Sequence, residues 1–142
     1  MTRTLILVSM MNGLVAYLLG HIGSHVAAGV APRLTPHADL VSRTGLGRAA
    51  EETGTPAPLF AVLWFYHWFW FLPWLFAVWF GYKTVWWWAI AALVIGFVFR
   101  LILTGIERSF GLTQNAWVIS LGAIPAIPIL FWLMVSVTLG RV

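Results

Sequence analysis

Ala91-Ala-Leu-Val-Ile-Gly-Phe-Val-Phe-Arg-Leu-Ile-Leu-Thr-Gly105 is apolar almost throughout, yet it carries Arg100 near its centre. An apolar run of this kind reads as part of a membrane span. A cation inside a span costs roughly 2.5 kcal/mol or more, so it normally faces a protein interior or a polar ligand. The fold is read from the run, and any site is sought around the arginine.

Three more apolar stretches surround it. Spans are expected at about residues 5–31, 58–82, 84–106 and 116–139. Each reaches the roughly 20 residues that a helix needs to cross the hydrocarbon. The runs are too continuous for alternating barrel strands, and only helices or closed barrels satisfy their backbone groups in lipid. The expectation is therefore an all-α, polytopic integral membrane protein, one four-transmembrane-helix antiparallel bundle over residues 1–142. Composition agrees: 61% of residues are hydrophobic and 8% charged, against roughly 25% charged in soluble domains. The chain has no cysteine, which excludes disulfides and thiolate metal sites. Eight basic residues against four acidic ones give +4, which points to anionic headgroups or an anionic ligand. No basic run with interleaved aromatics lies outside the spans, so no nucleic-acid partner is expected. Arg3 followed by an apolar run resembles a signal peptide with Val26-Ala-Ala-Gly-Val-Ala31 as its cleavage region, but the stretch is long for one, and a retained span is expected.

The first loop is long and holds Arg33, His37, Asp39, Arg43, Arg48, Glu51 and Glu52. The second is expected to be little more than Gly81-Tyr-Lys83, making spans two and three a tight hairpin. Trp86-Trp-Trp88 beside Lys83 fits an aromatic belt. Loops one and three carry Arg33, Arg43, Arg48 and Arg108, against Arg3, Lys83 and Arg141 on the other side. That margin favours loops one and three in the cytoplasm.

Counting from the span ends puts His21 and His67 each roughly 14 Å below the loop-one side, at 1.5 Å per residue. His25 lies one turn nearer that surface and Arg100 about as deep, while Glu107 and Arg108 are expected at the surface itself. Costly polar groups concentrated in one half of the membrane predict a pocket walled by Arg100, His21, His25 and His67. His21-Ile-Gly-Ser-His25 has the spacing that sets two imidazoles on one helical face, where a metal could bridge them with His67 as a third ligand. Alternatively, His21 and His67 are axial ligands of a haem between helices. Gly13, Tyr17, Gly20 and Ser24 form a stripe for close helix approach. Pro73, Pro125 and Pro128 are expected to kink spans two and four, and neighbouring helices must satisfy the carbonyls they free.

Two segments, Arg48-Ala-Ala-Glu-Glu-Thr-Gly-Thr-Pro-Ala-Pro-Leu-Phe60 and Phe99-Arg-Leu-Ile-Leu-Thr-Gly-Ile-Glu-Arg-Ser109, resemble the MAPEG family, membrane-associated proteins of eicosanoid and glutathione metabolism. Length, four spans and a long first loop fit as well. The resemblance implies a homotrimer that binds glutathione between subunits and acts as a transferase or peroxidase on a lipophilic substrate. By the same resemblance, Arg48, Glu52, Thr55 and Arg100 fall at ligand-binding positions, while Arg100 and Arg108 are the catalytic candidates beside the thiolate. Glu52 stands where the family has an asparagine and Thr55 where it has a glutamate. Leu103 and Ile106 stand near its third-helix tyrosines.

Two other readings stay open. One is a non-catalytic accessory subunit of a larger membrane complex, holding haem or metal through His21, His25 and His67, its aromatic surface meeting partners or membrane lipids. The other is a small ion or proton transporter built on Arg100 and the histidines.

Overall fold

The computed structural model describes residues 2–30, 55–110 and 116–140, and the secondary structure in them is helical throughout. Five helices follow in order: α1 (Thr2–Val30), α2 (Ala57–His67), α3 (Leu72–Lys83), α4 (Trp86–Phe110) and α5 (Ala116–Thr138). In α1, α4 and α5, the segments Thr2–Ala28, Trp86–Phe110 and Ile119–Thr138 are long and apolar enough to cross a membrane. The expected second span is not one helix. It is divided into α2 and α3, which meet that standard only as a pair bent by 41°.

The break follows from Pro73. Proline has no N–H to give the carbonyl four residues back, and its ring crowds that carbonyl. The Phe69 carbonyl instead accepts from the Leu72 N–H at 3.0 Å. Shorter-range bonds of the same type link Phe69 to Tyr66 and Trp70 to His67. Residues 68–71 form a tight turn, a sharper interruption than the kink expected at Pro73. The turn between spans two and three is also displaced from its expected position. Gly81 and Lys83 lie inside α3, and the connection is Thr84–Val85. At Gly81 a Cβ would stand 2.7 Å from the Ala89 Cβ, so glycine lets the start of α4 fold back closely.

Pro125 and Pro128 sit within α5, which stays helical through both. Pro128 leaves the Ile124 carbonyl without its helical donor. The Tyr66 hydroxyl of α2 donates to that oxygen at 3.0 Å. A neighbouring helix thus satisfies a freed carbonyl, as expected of the sequence.

Helix α1 is the hub, packing against all four other helices. Val8, Val15, Leu19, Ile22 and Val26 are buried along it, against a core that includes Phe60, Leu63, Phe76, Phe80, Ile127 and Met134. Its most extensive partner is α4. There Gly13 meets Gly96 backbone to backbone, and a Cβ on Gly13 would overlap the Gly96 carbonyl oxygen. A Cβ on Gly96 would lie 3.1 Å from the Ser9 carbonyl oxygen. Contacts advance in the same direction on both helices, from Gly13 with Gly96 to His21 with Glu107. The most closely packed pair therefore runs parallel, the direction that spans one and three take when successive spans alternate.

Gly13→Val should separate α1 from α4 and lower stability by about 1–3 kcal/mol, the usual cost of overpacking. Gly105 has open space where a Cβ would stand, so Gly105→Ala should leave the melting temperature unchanged or slightly raised. Thermal unfolding of both variants in detergent checks the pair.

Candidate functional site

The contact at Gly13 and Gly96 brings the next turn of α4 against α1. One terminal nitrogen of Arg100 lies 2.9 Å from where a Cβ on Gly20 would stand. Glycine at that position leaves the space that the guanidinium occupies. Among the described residues, Arg100 has no carboxylate partner. Beside it lies a cavity of about 530 Å³ between α1, the α2–α3 break and α4. That volume falls within the roughly 300–1,000 Å³ of small-molecule sites.

The cavity wall is mainly apolar, with Gly13, Gly20 and Gly23 along α1 and Trp70, Trp74 and Phe97 across from them. These three aromatic residues are also exposed on the outer surface, so the cavity borders the face that lipid would cover. Three polar side chains interrupt the wall: Asn12, His67 and Arg100. The Asn12 amide donates to the Pro73 carbonyl at 3.2 Å. Its own oxygen is buried without a partner among the described residues, as is His67 Nδ1. A Cβ on Gly23 would approach His67 Nδ1 to 3.2 Å, so the glycine face leaves room for the imidazole as well.

A second group adjoins the first. Glu107 is only 5% exposed, enclosed between α1 and α4. Tyr17 donates its hydroxyl to Glu107 Oε2 at 3.0 Å, and His21 Nε2 lies 2.9 Å from the same oxygen. An ionised carboxylate only accepts, so the imidazole N–H is the donor in that state. The Tyr17 and His21 rings meet edge to face at 4.7 Å. A smaller cavity of about 100 Å³ touches Tyr17, His21, Glu107, Ser24 and Thr104. Arg100 and Gly20 border both cavities. The helix turn explains the alignment: Arg100, Thr104 and Glu107 follow at intervals of four and three residues on one face of α4.

The expected four-residue pocket is thus divided. Arg100 and His67 line the large cavity, His21 is held by Glu107, and His25 Nε2 lies 2.8 Å from Thr55 Oγ1. Among the described residues, no three His, Asp or Glu side chains gather as a metal-binding group. Thr55, one of the ligand-binding candidates, is buried against His25. Arg108 is exposed in the last turn of α4 and borders neither cavity described above. Arg48 and Glu52 lie outside the described residues. Two residues that line the cavities, Asn12 and Tyr17, were not among the candidates. Asn12 is an amide within an apolar span, the kind of residue that intramembrane polarity should flag. Tyr17 was read only as part of a packing stripe.

Comparisons with protein-family models, curated proteins and solved structures return no match for this chain.

Glu107→Leu should strand the Tyr17 hydroxyl and the His21 imidazole, lowering stability by about 1–3 kcal/mol. Glu107→Gln keeps an acceptor oxygen and should cost less. Melting temperatures of the two variants in the same detergent test the order.

Proposed function

We propose that this chain is an integral membrane protein of four crossings, with the bent α2–α3 pair as one of them. It binds an amphiphile with an anionic group, anchored by Arg100, in the cavity beside α1. The observation that carries this reading is Arg100 itself. Its guanidinium, without a carboxylate partner among the described residues, borders a largely apolar cavity of about 530 Å³. An unpaired intramembrane cation is costly, and an anionic ligand offsets that cost. The exposed aromatic residues at the cavity edge give such a ligand a route from the lipid. The balance of loop arginines favours loops one and three in the cytoplasm.

The family resemblance supplies a narrower version. Here the anion is glutathione, Arg48 and Arg100 hold its carboxylates, and the apolar cavity takes a lipophilic electrophile. A nearby guanidinium, from Arg100 or Arg108, lowers the thiol pKa from about 8.5 toward neutrality. What favours this version is that Arg100, matched to the family's third-helix arginine, borders the cavity. The accessory-subunit version with haem or metal draws less support, because His21 and His25 are each engaged by another side chain. The small transporter draws no comparable support, since the buried carboxylate, Glu107, is held by Tyr17 and His21.

In nanodiscs, radiolabelled oleate should bind saturably. Arg100→Leu should weaken that binding about 10- to 150-fold, the loss of a charge-assisted contact. Arg100→Lys should recover part of it, because an ammonium lacks the planar fork. Titration with millimolar glutathione should release heat that Arg100→Leu removes. Oleate binding without that heat would leave the anionic-amphiphile reading and eliminate the glutathione version.

The same resemblance gives a homotrimer. Chemical cross-linking in detergent should give a ladder ending at three chains, and one ending at two would contradict it.

A further inference from the structure

Resting on the anionic-amphiphile reading, we infer that the ligand is a phospholipid with a primary-amine headgroup. Its tail takes the large cavity, its phosphate meets Arg100, and its ammonium enters the small cavity beside Glu107. The two cavities differ in character and share Arg100 and Gly20. Gly20 apart, every residue lining the small one has a polar side chain: Tyr17, His21, Ser24, Arg100, Thr104 and Glu107. A cation and an acid thus border the same space of about 100 Å³, and among the described residues they form no ion pair with each other. Opposite charges around one space, too far apart to meet, are complementary to a ligand that carries both signs.

The hydroxyls select the kind of cation. Ser24 donates to the His21 carbonyl at 2.9 Å and Thr104 to the Arg100 carbonyl at 3.0 Å, so each proton is committed within its own helix. A hydroxyl has one proton and two lone pairs, so what these two oxygens still offer is acceptor capacity. Both bonds are exposed, within reach of a ligand. A primary ammonium brings three N–H donors to such acceptors, whereas a trimethylammonium brings none. A headgroup with an added carboxylate would set like charge against Glu107.

The order along α4 matches the order along a lipid. Phe97 walls the large cavity, Arg100 stands at the junction, and Thr104 and Glu107 follow toward the helix end at Phe110. Arg100 and Glu107 are seven residues apart, a rise of about 10 Å. Tail, phosphate and amine succeed one another in the same direction, from the membrane interior to its surface. Arg100 and Ser24 are exposed, so the small cavity opens on the outer side of the α1–α4 seam. A headgroup enters there from the surrounding lipid.

Lysophosphatidylethanolamine and lysophosphatidylcholine with the same acyl chain form a minimal pair, differing only in the methyl groups on nitrogen. Each is used to displace radiolabelled oleate from the protein in maltoside detergent, with no other phospholipid present. Wild-type protein should bind the ethanolamine lipid about tenfold more tightly, the effect of charge-assisted hydrogen bonds. Glu107→Gln should abolish most of that preference, Thr104→Val should reduce it, and Arg100→Leu should weaken both lipids. Free phosphoethanolamine, which has no tail to bury, should compete about 100-fold more weakly than its lipid. Equal potency of the two would make the ligand a soluble phosphate and overturn the lipid. The wild-type ratio is decisive even where Glu107→Gln fails to fold. A preference undiminished in both Glu107→Gln and Thr104→Val would overturn the placement of the amine. Equal affinities for the two lipids in the wild type, both reduced by Arg100→Leu, would overturn the amine headgroup and leave the anionic-amphiphile reading standing. Failure of oleate and both lipids to bind would remove both.

Discussion

Backbone contact between Gly13 and Gly96 is the constraint on which the rest of this protein depends. Lipid gives two apolar helices little hydrophobic reason to associate, so contact must come from close van der Waals packing. A glycine on each side lets α1 and α4 approach until a Cβ would meet carbonyl oxygen. That proximity sets the polar chemistry. One turn of α4 beyond Gly96, Arg100 reaches the gap at Gly20, and three turns beyond, Glu107 meets Tyr17 and His21. Because the two helices run parallel, these contacts appear in register along one seam.

The second constraint is the proline break. A non-helical turn at membrane depth is tolerated only where its backbone is buried in protein or lines a cavity. Residues 68–71 keep internal hydrogen bonds and contribute Trp70 to the cavity wall. Asn12 ties the break to α1 through the Pro73 carbonyl. On the other side of the bundle, Tyr66 closes the carbonyl that Pro128 opens in α5. The same prolines that weaken individual helices therefore create cross-helix bonds.

Some of this was legible in the residues alone. Apolar length predicted the helical spans, Pro73 predicted a disturbance of the second, and Arg100 stood out as an expensive cation. What counting cannot give is the direction in which a side chain points. These helices are apolar nearly all round, and a helix without a polar face offers no pattern to orient it. His21, His25 and His67 therefore looked like one cluster by depth but have three different surroundings. Glu107 was placed by depth near a span end, and counting alone could not show that the α1–α4 seam encloses it. Gly81 looked like a turn residue and is instead a packing residue within α3.

Together these features describe a seam of glycines with a largely apolar cavity beside it, bordered by the cation Arg100. An experimental density map of the protein purified from membranes into nanodiscs tests that claim most directly. The account predicts elongated non-protein density beside α1, in contact with Arg100. Trp70 and Trp74 packed onto the glycine face, with no space between them, would contradict it.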